Sequence, residues 1–139
     1  MGTLSAAPTR VRRRRPPASR HLLGASFMVL LGAFLPWVYT GAGNVTGVQG
    51  AGLWTMYAAA LGIAGAILRS YRIAAVHAGL LALVAVTLPV WQIVHLLSLV
   101  GLSGWMPGAG LVLTLGGGVL AGFAGVGLLR ASRTEQAAS

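Results

Sequence analysis

Apolar residues fall into four blocks separated by polar or glycine-rich breaks. They run from Leu22 to Tyr39, Leu53 to Leu68, Ile73 to Leu102 and Ala109 to Leu129. As helix, at about 1.5 Å per residue, each block is near or above the roughly 30 Å needed to cross a bilayer core. The third is longer than one crossing requires. Pro89 lies in its outer part, where a missing N–H and a bulky ring predict a bend. We therefore place the third crossing at 73–96 and read SLVGLSGWMPGAG as an outer turn. The expected fold is all-α integral membrane: four transmembrane helices (about 22–39, 53–68, 73–96 and 109–129) in a compact bundle spanning 21–131.

The breaks and ends have their own signatures. GAGNVTGVQGAG marks a loop of about a dozen residues after span one, and Arg69-Ser70-Tyr71-Arg72 a tight turn after span two. Residues 1–20, MGTLSAAPTRVRRRRPPASR, carry no apolar periodicity and read as a disordered basic tail; 132–139 form a short polar tail. Span one reads as retained: it is long for a signal-peptide core, and no A-x-A cleavage motif follows it. Pro16-Pro17 after the arginines does not suit a twin-arginine signal, and Ala6 breaks the myristoylation pattern.

Charge orients this topology. The chain of 139 residues has ten Lys+Arg, all arginine, and one acidic residue, Glu135, for a net charge of +9. With four crossings, Arg10, Arg12, Arg13, Arg14, Arg15, Arg20, Arg69, Arg72, Arg130 and Arg133 all fall on one side. The other two connections are uncharged. By the positive-inside rule both termini are cytoplasmic. Arg10, Arg12, Arg13, Arg14, Arg15 and Arg20 are candidate contacts for anionic lipid headgroups. Nucleic acid is not an expected partner, because no aromatic residue interleaves the run and no reader domain accompanies it.

Composition also narrows the chemistry. There is no lysine, aspartate or cysteine, which removes Schiff bases, thiolates and carboxylate pairs from the apolar body. No cofactor, metal or enzymatic activity is expected. His77 and His95, with Gln92, are the candidate polar sites within the membrane. Eighteen residues separate the histidines, about 27 Å on a straight helix, so they cannot share a metal ion. Ser98 follows His95 by one turn, but no acid is present to orient the imidazole of a dyad. Thr87, Gln92 and Thr114 are expected to hydrogen-bond between helices.

Two patterns point to surfaces. Trp37, Tyr39, Trp54, Trp91 and Trp105 all map to the outer interface as an aromatic cluster, either a simple anchor or a vestibule and partner surface. Ala58, Gly62 and Ala66, and Gly118, Gly122 and Gly125, are small residues at helical spacing that let another helix approach closely, within the bundle or in a homo-oligomer.

FLPWV at the end of span one and the glycine-rich last span GAGLVLTLGGGVLAGFAGVGLLR resemble a group of small four-span membrane proteins of high-GC actinobacteria. The resemblance implies a multi-pass protein of a bacterial inner membrane. It transfers no functional residue. The expected function is that of an accessory or interaction component of a membrane complex. A small oligomeric pore or export element, including a phage holin-like protein, is the alternative.

Overall fold

Prolines and glycines decide where the helices begin and end. The computed structural model describes residues 16–138. It is mostly helical, with α1 (Pro17–Phe34), α2 (Gly52–Ile67), α3 (Tyr71–Val100) and α4 (Ala109–Ala137). Three short strands, β1 (Pro36–Thr40), β2 (Gly43–Thr46) and β3 (Trp105–Pro107), form an antiparallel sheet in the order β2-β1-β3. The all-α expectation is corrected by this sheet.

Its origin is local. Pro36 has no N–H to continue α1 and forces Leu35 into extended backbone, at φ −78° and ψ 160°. The helix therefore stops at Phe34 and not at Tyr39, and the aromatic and β-branched residues after Pro36 pair as a strand. Tyr39 stands opposite Asn44 on one side and Met106 on the other. Gly43, at φ 136°, turns the hairpin in a conformation other residues avoid, and the Thr40 hydroxyl donates to its carbonyl at 2.7 Å.

Other boundaries also move. α3 passes Pro89 without interruption to Val100, so the helix does not end at the proline and runs past the expected limit of the third crossing at residue 96. Proline removes a single intrahelical bond, and the fully buried Pro89 shares with Ala85 the face packed on α4. α4 continues to Ala137, which makes most of the expected C-terminal tail helical. Pro17 to Arg20 form the first turn of α1, a position that suits proline. Residues 1–15 of the expected basic tail, with Arg10, Arg12, Arg13, Arg14 and Arg15, lie outside the described residues.

The helices close a ring in which α1 and α3 each pack on α2 and α4, while diagonal pairs barely touch. Small residues face inward and large ones outward. Ala25, Ala59, Ala78, Ala85 and Ala121 are fully buried among Leu22, Val29, Leu81 and Leu128, whereas Phe27, Phe34, Leu83 and Phe123 are half or more exposed. Buried hydroxyls do not cross-link the helices. Ser26 donates to Leu22 O, Thr55 to Gly52 O and Thr114 to Gly110 O, all within their own helices, which corrects the interhelical role expected of Thr114. Close backbone approach, not polar bridging, holds this interior together.

Candidate functional site

The two ends of the bundle differ in charge. At one end the start of α1 meets the end of α4, since a Cβ on Gly127 would lie 3.1 Å from Ala18 Cβ, and the end of α2 meets the start of α3 at Gly65 and His77. Ser70, Tyr71 and Arg72 share a shallow cleft of about 360 Å³ with Ser132, Glu135 and Gln136 of α4. Arg20, Arg69, Arg72, Arg130 and Arg133 are all exposed at this end. No described arginine lies at the other end, where the sheet and the tryptophans are gathered.

The aromatic cluster divides into two kinds of residue. Trp37 on β1 is only 3% exposed and donates its indole N–H to Gly32 O at 2.9 Å. It packs with Val38 and Leu111 in a small second core at the sheet end, against Ile93, Leu96 and Trp105. Trp105 on β3, half-buried, donates to Gly101 O at 2.9 Å. Neither indole N–H is available to an outside acceptor. Tyr39 is exposed on β1, while Trp54 and Trp91 are 66% and 53% exposed at the start of α2 and late in α3. Trp54 and Trp91 line one groove of about 540 Å³ with Gly50, Ala51, Thr87 and Leu88, and Tyr39 lies outside it. Trp54 contacts Tyr57 edge-on at 6.2 Å, and Trp91 stacks on His95 with centroids 5.0 Å apart and planes 6° from parallel.

The polar candidates are held apart. His77 Nδ1 lies 2.8 Å from Ile73 O, and because a carbonyl only accepts, Nδ1 carries the proton. Its Cβ packs over Gly65 of α2. His95 faces outward on the Trp91 stack, and Gln92 is half-buried beside Trp91. The Ser98 hydroxyl donates to the backbone carbonyl of His95 at 2.7 Å and not to its ring. Among the described residues no three His, Cys, Asp or Glu side chains gather in a metal-binding group.

The small-residue positions all lie against neighbouring helices. Ala58 and Ala66 are buried, and a Cβ on Gly62 would strike Ser26 Oγ of α1 and come within 2.6 Å of Leu81 Cδ2 of α3. Gly118 meets Val86 and Ala85, Gly122 meets Ala82, and Gly125 meets Ala78, all on α3. Sequence reasoning missed the matching α1–α4 seam. There Gly32, Gly110 and Gly117 bring backbone against backbone, with Gly110 facing Gly32 O and Leu35 O at 2.6 Å from its would-be Cβ. The signal was present in the helical spacing of Ala18, Leu22, Ala25, Val29 and Gly32, but it became visible only beside α4.

Comparison with family models, curated proteins and solved structures returns no match. What the chain does has to be read from its own residues.

Proposed function

We propose that the chain crosses a bacterial inner membrane four times, with both termini in the cytoplasm, and serves as a non-enzymatic accessory component that docks a membrane partner through its outer end. α3 and α4 are each long and apolar enough to cross a membrane. α1 and α2, with 18 and 16 residues, reach about 27 and 24 Å, and the outer sheet and the 3-10 turn at Gly47–Gln49 extend them. Large exposed apolar side chains around a small-residue interior suit lipid as the surrounding medium.

The observation that carries the docking role is the outer end of α3. From Arg72, a crossing of about 30 Å uses about 20 residues and ends near Trp91, and a tilt of about 20° adds only about one more. Beyond that level Val94, Leu99 and Val100 on α3, Leu102 after it and Met106 on β3 are all more than half exposed. Leu102 reaches 89%. α4 also overshoots, inward, but its extra turns carry Arg130, Arg133 and Glu135 as water demands. An apolar, uncharged projection outside the lipid calls for a protein surface of the same character.

Packing along the bundle axis argues against a pore through a single copy, because Leu22, Val29, Leu81 and Leu128 fill it. A photo-crosslinker at Leu99 or Leu102, activated in intact membranes, is expected to capture one reproducible heterologous membrane protein while the membrane potential holds. Capture of this chain alone, or collapse of the potential on expression, would overturn the accessory reading in favour of an oligomeric pore.

A further inference from the structure

Two of the four tryptophans have their indole N–H groups committed inside the molecule, and two do not. Trp37 and Trp105 donate to Gly32 O and Gly101 O. Trp54 and Trp91 find no acceptor among the described residues, and each is braced by one neighbour, Tyr57 or His95. Thr87, between them in the groove, shows the same contrast. The hydroxyls of Ser26, Thr55, Ser98 and Thr114 donate to carbonyls one turn back, whereas that of Thr87 has no partner among the described residues. The groove therefore combines an apolar lining, three uncommitted donors and no charged group.

That chemistry selects its occupant. An apolar slot with uncharged donors at its edge fits a molecule with an apolar chain and an uncharged acceptor at one end. The groove is shallow and open, with about 540 Å³ between its walls, so it cradles a chain against its floor without enclosing it. Trp91 stands about 20 residues from Arg72, the level at which hydrocarbon gives way to headgroup and indoles are most at home. We propose that the groove between α2 and α3 binds one outer-leaflet phospholipid, its acyl chain in the slot and an ester carbonyl accepting from Trp54 or Trp91. This inference rests on the membrane-crossing reading above.

The experiment uses the full chain reconstituted in phosphatidylcholine vesicles whose chains are brominated near the ester. Bromine is expected to quench tryptophan emission, with most of the quenchable part lost in Trp54→Phe/Trp91→Phe. In native mass spectrometry from the same lipid, wild type should retain one phospholipid, Ala51→Phe should lose it by filling the slot, and Ala64→Phe, on the exposed side of α2, should keep it. Equal retention in wild type and Ala51→Phe would overturn the proposal. So would quenching unchanged by the double replacement in protein that resists carbonate extraction, a result that leaves the membrane reading standing. Protein stripped from the vesicles by carbonate would instead overturn the membrane reading and the site with it. Crosslinking from Leu88→p-benzoylphenylalanine in cell membranes into a protein, and not into lipid, would replace the phospholipid by a partner segment.

Discussion

The indole N–H of Trp37 donates to the carbonyl of Gly32 at 2.9 Å and closes the end of α1. In an unbroken helix that carbonyl would accept from residue 36, but residue 36 is proline and has no N–H to offer. The tryptophan next in sequence supplies the missing donor. One buried side chain thus stops a backbone acceptor from going unpaired where helix becomes strand, and anchors the sheet to the bundle.

Trp37→Phe is expected to keep most of the packing and lose the donor. A buried, unsatisfied carbonyl costs about 1–3 kcal/mol, and Trp37→Ala adds a cavity for a total of about 3–5 kcal/mol. Denaturation in detergent, compared with Trp54→Phe as an exposed control, would measure this. Equal loss in both variants would contradict the role given to Trp37.

Glycines in contact and glycines in open space should separate cleanly. Gly62→Leu would force α2 away from Ser26 and Leu81 and is expected to cost about 2 kcal/mol or more. Gly79, with nothing within 4 Å of a would-be Cβ, should tolerate Gly79→Leu with no loss, or gain up to about 1 kcal/mol from helix propensity. If both variants fold equally well while Gly62→Leu abolishes self-association, the Gly62 stripe is an oligomer face and not bundle packing.

Orientation can be read by cysteine labelling at exposed positions. Asn44→Cys and Ser103→Cys should react with an impermeant maleimide in intact cells, and Ser70→Cys and Thr134→Cys only after permeabilisation. The reverse labelling pattern would invert the topology.

A peptide of residues 1–20 should bind vesicles containing anionic lipid. With about 1 kcal/mol per arginine near the surface, replacing Arg12, Arg13, Arg14 and Arg15 by alanine is expected to weaken binding by roughly a thousandfold. Unchanged partitioning in a vesicle titration would reject an electrostatic role for the tail.

Four apolar blocks and the arginines between and beyond them were legible in the chain because each acts through its immediate surroundings. Hydropathy responds to solvent and a positive charge to one side of a membrane, whereas the stop that Pro36 imposes on α1 was passed over in a block read as far as Tyr39. Those signals locate the four helices and gather the charge at one end. The tertiary structure decided what depends on a neighbour distant in sequence. Trp37 and Trp54 look alike along the chain, yet one fills the core beside Leu111 and the other flanks a groove with Trp91. Pro89 reads as the place where the third crossing gives out, yet α3 continues past it with the proline fully buried. Gly32 carries no local mark of importance until Gly110 is set against it. A residue's own chemistry determines the medium it prefers, but its partner is settled only when two helices approach, and that approach is a property of the whole bundle.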